Sequence, residues 1–181
     1  MVFDIDVATH DHISDILYIE KTIESGYPAT RQTLADRLDM FPDGFLIIKK
    51  NHQIIGYIET CIWYVQSFST YLDICEFSKL HHLNGTILFV IFIGVDERFQ
   101  KMGVGTLLLN ELKIRIKRKY PHIKKIHLVS KEQYVNTFYK KNNFHQIKRL
   151  PDYMPGYSGM LMEYQYGVHP TDGRRIVQKQ K

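Results

Sequence analysis

An apolar run stops at Val95, and a leucine-rich segment "TLLLNEL" begins at Thr106; between them stands Gln100-Lys101-Met102-Gly103-Val104-Gly105. A glycine inside a helix costs roughly 1 kcal/mol relative to alanine. Two of them where a helix starts therefore answer a need other than helix stability. The first N–H groups of a helix lack internal acceptors and carry the positive end of its dipole, so they favour an anion. Glycines there remove the Cβ atoms that would keep a phosphate from the backbone. Arg98, Gln100 and Lys101 add side-chain donors. The pattern is neither G-x-x-x-x-G-K-[ST] nor G-x-G-x-x-G, so it is not a P-loop or a dinucleotide fingerprint. Alone it also reads as a plain turn from loop to helix.

The elements that hold this turn follow from periodicity. "TILFVIFIGV" is a continuous apolar run, which suits a central strand buried on both faces. The helix from about Gly103 to Lys119 places Leu108, Leu109, Leu112 and Ile116 inside, with Lys113 and Lys117 outside. Upstream, "FDIDVAT" alternates as a strand, and "HISDILYIEKTI" and "TRQTLADRLDMF" have helical spacing, the second capped by Thr30 or Thr33. "GFLIIKK", a polar turn and "IIGYIETCIWYV" form a hairpin pattern, and residues 66–86 read as a long irregular connection. Downstream, "KKIHLVS" is a strand, "QYVNTFYKKN" a helix, and "FHQIKRL" and "GMLMEYQY" are the last two strands. Strands and helices mix around one sheet in a single α/β or α+β domain over residues 1–166, followed by a basic, flexible tail over 167–181.

Composition narrows the function classes. Of 181 residues, 44% are apolar and 24% charged, enough for one domain with a proper core. No apolar run approaches the roughly 20 residues that span a bilayer, and the start has no basic region followed by an apolar stretch, so neither membrane insertion nor secretion is expected. The two cysteines, Cys61 and Cys75, make no disulfide framework and no zinc spacing, which fits a cytoplasmic protein. The nine histidines are scattered, and the His81-His82 pair lacks partner spacing, so no metal site is expected. Neither a Gly-x-Ser-x-Gly elbow nor a Cys–His pair suggests a hydrolase. The net charge of +5 is concentrated in "KIRIKRKYPHIKK" and "GRRIVQKQK". These segments read as a solvated helix face and a loose terminus, or as attraction for nucleic acid or a phosphate-rich cofactor. No aromatic platform interleaves the lysines, which ranks nucleic acid last.

Val95 followed by Gln100 to Gly105 resembles the acetyl-coenzyme-A motif of the GCN5-related N-acetyltransferases (GNAT). "FYKKNNF" (138–144) resembles that family's F-Y-x-K-x-G-F hallmark, and "DYMPGYSGMLMEY" the tyrosine-rich final hairpin of its protein N-terminal acetyltransferases. The opening half, "YPATRQTLADRLDMFPDGFLIIKKNHQIIGYIE", is similar to arylalkylamine-type members, and the likeness covers residues 3–166. It implies a mixed, mostly antiparallel sheet of about seven strands flanked by about four helices. The sheet would splay into a V between the fourth and fifth strands, with acetyl-CoA in the V and the acceptor amine entering from the other side. The resemblance also implies coenzyme contacts from Ile93, Gly94 and Val95 to the pantetheine arm, and from Gln100, Lys101, Met102, Gly103, Val104, Gly105 and Thr106 to the pyrophosphate. Two positions depart from the pattern: Glu132 replaces a usual asparagine, for which Asn136 offers a substitute, and Asn143 replaces the glycine before the last phenylalanine.

Amine acetylation needs a base for the amine, donors for the oxyanion and an acid for the departing thiolate. By resemblance the acid is Tyr139, since the motif tyrosine of the family points at the coenzyme sulfur; otherwise it is a helix tyrosine packed on the core. His127, twelve residues earlier, is the leading base, with an ordinary pKa near 6.5 that suits proton removal near neutrality; its plain alternative is a solvent-side histidine. Glu59 is a second candidate base or amine-binding carboxylate, and the N–H of Val95 or a neighbour holds the thioester oxygen. Arylalkylamine members keep two histidines where this chain has Phe89 and Ile91, which argues against the same relay. Tyr57, Phe89, Tyr153 and Tyr157 line the acceptor mouth in this reading, or serve as edge packing. The expectation is direct transfer of acetyl from acetyl-CoA to a small amine or a peptide N-terminus in a ternary complex, by a monomer or homodimer. The alternative is a non-catalytic acetyl-CoA-binding module acting through protein contacts.

Overall fold

The alternation over residues 44–63 closes as a hairpin of β2 (Leu46–Lys50) and β3 (Gln53–Trp63). Asn51 and His52 both have positive φ, 49° and 65°. That is the combination a two-residue turn needs to match the right-handed twist of its strands. The computed structural model describes residues 2–23, 29–64, 81–154 and 156–167. Most of the connection expected over 66–86, with Cys75, and nearly all of the basic tail lie outside these residues.

The other strands are β1 (Asp4–Val7), β4 (Ile87–Val95), β5 (Lys125–Ser130), β6 (His145–Met154) and β7 (Tyr157–Gln165). They form one seven-stranded sheet in the order β1-β2-β3-β4-β5-β7-β6. Every neighbouring pair is antiparallel except β4 with β5. A parallel pair needs a long crossover. Here α3 (Val104–Lys119) supplies it and packs Leu108, Leu109, Leu112 and Ile116 onto one face of the sheet, against Ile58, Leu88, Val90, Ile126, Leu128 and Met162. Helices α1 (Ile13–Thr22) and α2 (Arg31–Met40) cover the opposite face of β2 and β3, burying Ile16, Ile19, Leu34 and Leu38 against Ile47 and Tyr57. The cap of α2 is Thr30, whose hydroxyl accepts the Thr33 N–H at 3.1 Å.

Three expectations are corrected. Lys113 is buried, only 8% exposed, although helical spacing put it outside. Its ammonium lies 4.1 Å from the Tyr164 ring centre and donates to the Asn142 carbonyl at 2.8 Å, so aromatic faces replace water around the charge. The helix expected over 133–142 is a single turn, α4 (Glu132–Tyr134), then a π turn (Val135–Tyr139) and a 3-10 turn (Lys140–Asn142). Asn143 ends it with φ 66°, the left-handed conformation asparagine tolerates in place of glycine. Finally, β4 is not buried on both faces throughout: Ile91, Phe92, Ile93 and Val95 remain partly exposed. The pairing of β4 explains why.

Candidate active site

β4 and β5 pair only from Ile87 with Lys125 to Val90 with Leu128. Against β3, the register jumps from Glu59 with Phe92 to Thr60 with Val90, so Ile91 is the extra residue of a β-bulge. A bulge bends its strand and increases twist. The bend falls where the pairing with β5 ends, and from there β4 leaves β5 while keeping β3. This is the V expected between the fourth and fifth strands. Ile93, Gly94 and Val95 lie on its β4 arm.

The head of the V is built by the glycine turn. Gly103 precedes α3 with φ 84°, and a Cβ there would meet nothing within 4 Å. Among the described residues no side chain caps the helix, and the first backbone N–H to find a backbone acceptor at that end is that of Leu107, on Gly103 O at 3.0 Å. The amides of Val104, Gly105 and Thr106 thus begin a helix whose dipole favours an anion, beside an open glycine. Gly105 also answers a packing need: a Cβ there would come within 2.9 Å of the Phe138 ring. Thr106 Oγ1 accepts from Asn142 Nδ2 at 3.3 Å. The two motifs, about 40 residues apart in sequence, are therefore packed against each other. Gln100 and Arg98 are used inside the loop: Gln100 Nε2 donates to Val95 O at 3.1 Å, and Arg98 holds Asp96 at 2.6 Å, keeping that carboxyl below its ordinary range. Lys101 has φ 60°, and Met102 is exposed.

The candidate acid–base residues flank the V from opposite faces. Tyr139 is buried in the cluster under α3, edge-on to Phe138 and Phe144. His127 alternates with Ile126 and Leu128 of that cluster and so faces the other way, cross-strand from Phe89. It is only 6% exposed, which excludes the solvent-side alternative. Its Nε2 is 2.8 Å from Glu163 Oε2, and its Nδ1 is buried with no partner among the described residues. Burial lowers the imidazole pKa below 6.5, with Glu163 working against the shift.

Glu59 sits deeper on the same face, 2% exposed. Arg37 of α2 donates to its Oε1 at 2.7 Å, while Oε2 is buried and has no partner among the described residues. Burial outweighs Arg37 and raises its pKa to about 7. Nearby, the Tyr57 hydroxyl donates to Glu20 Oε1 and the Ala29 N–H to Glu20 Oε2, both at 2.6 Å. Tyr57, Phe89 and Tyr153 are all buried, and in two separate clusters: Tyr57 under α1 and α2, the other two with Cys61, Trp63 and Leu161. The side chains of Asn136 and Tyr157 lie outside the described residues. Glu132 accepts from Arg149 at 3.1 Å on the surface.

Sequence reasoning missed Glu163, Arg37 and Glu20. For Glu163 a signal existed: it occupies an alternate position of "MLMEYQY", the parity of buried Leu161, where a lone carboxylate needs a partner.

Among the described residues no helix is long and apolar enough to cross a membrane, and no group of three or more metal-ligating side chains occurs. Residues 11–144 match the Acetyltransferase (GNAT) family. The chain is 30% identical over 111 residues to N-alpha-acetyltransferase 60 of Xenopus tropicalis, a match that covers 53% of this chain and 46% of that one. The match thus spans about half the length of the curated relative. The fold is similar to the loading GNATL domain of CurA from Lyngbya majuscula, with TM-score 0.78, 15% identity, and coverage of 91% of this chain and 98% of that one. It is also similar to Naa50 of Arabidopsis thaliana in complex with the bisubstrate analogue CoA-Ac-MVNAL, with TM-score 0.69, 12% identity, and coverage of 92% and 100%. With a family match across most of its length and the splayed sheet that goes with it, this chain belongs to the GNAT acetyltransferase family.

Proposed function

We propose that the protein transfers the acetyl group of acetyl-CoA directly to the α-amine of a peptide or protein N-terminus. The observation that carries this reading is the parting of β4 from β5 after Val90, which opens a V whose head is the uncapped start of α3. The residues present fit the coenzyme: bare amides at Val104 to Thr106 for the diphosphate, and the free arm of β4 at Ile93 to Val95 for an extended pantetheine. Acetyl-CoA supplies an activated acyl group as a thioester.

The chain's own residues do the rest. Low pKa keeps His127 neutral at pH 7, so its bare Nδ1 can accept the proton the amine loses as it attacks. The backbone N–H of Val95 or a neighbour holds the carbonyl oxygen as it gains charge. From the opposite face, the Tyr139 hydroxyl gives a proton to the departing thiolate. Burial pushes the Cys61 thiol pKa well up, so that thiol is a poor nucleophile and direct attack is favoured over an acetyl-cysteine. A non-catalytic module would keep the cradle but have no use for a buried histidine with an unpartnered nitrogen.

The peptide acceptor is supported by the N-alpha-acetyltransferase relative, by the peptide analogue held by the Arabidopsis protein, and by the β6–β7 hairpin that carries Tyr153 and Tyr157. The test is calorimetry with acetyl-CoA, followed by mass spectrometry of products from peptides with free α-amines and from small primary amines. Saturable coenzyme binding with acetylated peptides is the expected result; faster acetylation of small amines than of every peptide overturns the acceptor assignment. Tyr139→Phe should lower kcat by about 10²-fold without weakening coenzyme binding.

A further inference from the structure

We propose that Glu163 is a positioning residue of this site: it accepts the Nε2–H of His127 and so fixes the tautomer whose bare Nδ1 meets the acceptor amine. The inference rests on His127 as the base.

The register puts the two residues directly opposite each other, His127 on β5 and Glu163 on β7. Their contact is 2.8 Å, and both are only 6% exposed. Glu163 Oε2 also accepts from Lys125 Nζ at 2.8 Å, and its Oε1 lies 3.4 Å from His145 Nε2 on β6. Lys125 and His127 keep the Glu163 carboxyl ionised, below its ordinary pKa despite burial. An ionised carboxylate has no proton to donate. The hydrogen in the 2.8 Å contact therefore belongs to Nε2, and a neutral imidazole with Nε2–H has a bare Nδ1. Among the described residues that nitrogen is buried and has no partner. The strand on the other side of β5 presents Phe89 to His127, which is apolar. Among the described residues, the charged or titratable groups facing His127 are thus Glu163 from β7, His145 from β6 and Lys125 from its own strand. Glu163 is the sole carboxylate of that set.

A purely structural Glu163 would tie β5 to β7 through Lys125 and leave the imidazole free to choose its tautomer. Nitrogen-15 NMR of the histidine rings in the full-chain protein separates the two, because it reads the protonated nitrogen with no turnover. The wild type should show His127 protonated at Nε2 and bare at Nδ1. Glu163→Gln should give a tautomer mixture and a lower imidazole pKa, with kcat down about 10- to 100-fold and acceptor KM unchanged. Lys125→Met should move the imidazole pKa the other way, since Lys125 opposes its protonation. Glu163→Asp, which keeps the charge, should recover part of kcat if it folds as the wild type does. A wild-type ring protonated at Nδ1, or a Glu163→Gln protein with unchanged tautomer and unchanged acid limb of kcat/KM, overturns the role of Glu163. A His127→Ala protein with wild-type turnover overturns the base assignment instead, and is told apart because the tautomer measurement does not depend on it.

Discussion

Two carboxylates, Glu59 and Glu163, are buried on the same face of one sheet, and their surroundings drive them in opposite directions. Glu59 meets the Arg37 guanidinium through one oxygen, and burial, helped by the charge of Glu20, wins: its pKa rises to about 7. Glu163 meets Lys125 and His127 and lies near His145, and there the partners win: its pKa falls. Depth of burial and the charges that reach a carboxyl group decide together: Glu59 is the deeper of the two and faces Glu20 as well as Arg37, whereas Glu163 is shallower and faces cationic donors. Glu59, with a raised pKa and one oxygen bound to Arg37, suits holding α2 on β3, whereas an anionic Glu163 suits orienting a neighbouring imidazole. Yet a pKa near 7 also suits a general base. The two regions are therefore rivals for the same proton.

The largest effect decides between them. His127→Ala should lower kcat/KM at neutral pH by about 10²- to 10⁴-fold, the range for removing a positioned base. Glu59→Gln should lower it less than about 10-fold, since the amide keeps a hydrogen-bond acceptor facing Arg37. The reverse order of losses would make Glu59 the base and leave His127 as a packed side chain. Next in size is Arg37→Met, which strands Glu59 in the interior without a cation. In denaturant unfolding at about pH 9, where Glu59 is ionised in the wild type, it should cost about 3–5 kcal/mol of stability. Arg37→Met with Glu59→Leu should restore most of it, because two apolar groups then replace a buried pair. If the single variant is as stable as the wild type, Glu59 is protonated in the fold and Arg37 contributes little.

Acid titration then gives a smaller effect of defined sign. The pKa of Glu59 is raised in the fold above its ordinary 4.5. Its contribution is fully present below pH 4.5 and is lost as the pH climbs through about 7, amounting to about 3 kcal/mol. His127 has the opposite slope. Its folded pKa is below 6.5, so its contribution is present above 6.5 and lost on acidification. The difference in melting temperature between wild type and Glu59→Gln should therefore vary from pH 4.5 to 7 and be flat above it. A flat difference throughout would mean that Glu59 titrates normally.

What the sequence reveals of this site divides along the same line. The second motif and the candidacy of His127 come from the family resemblance. The glycine turn, the strands and the helices are legible because each is a local pattern: a residue type at a strand or helix end, or a period of two or 3.6. Glu163, Arg37 and Lys113 are not, because their partners come from other elements. Arg37 finds Glu59 across 22 positions and His127 finds Glu163 across 36, a pairing fixed only when the β5–β7 register is fixed. Lys113 sits at the flank of a leucine stripe, and nothing in its neighbours foretells the rings of Phe144 and Tyr164 that close over it. The π turn at Val135–Tyr139 leaves no periodic trace either, since one extra residue in one turn is too short to shift a hydrophobic pattern.

The smallest expected effect tests the part of the site that the motif made most legible. Gly103 and Gly105 are two residues apart, and their substitution by alanine should separate coenzyme binding from packing. At Gly103 a methyl group meets open space, so the loss of stability should be limited to the cost of φ 84° for an L-residue, about 1 kcal/mol. At Gly105 the methyl group would press on the Phe138 ring at 2.9 Å, and stability should fall by about 1–3 kcal/mol as the second motif is pushed off the helix. If the open side of Gly103 is where a diphosphate approaches the amides of α3, Gly103→Ala should weaken acetyl-CoA in calorimetry by more than its small loss of stability suggests. Gly105→Ala should weaken the coenzyme only as far as the fold itself loosens. Equal affinity in wild type and Gly103→Ala, with the helix intact by circular dichroism, would place the diphosphate elsewhere and reduce the turn to a left-handed corner between strand and helix.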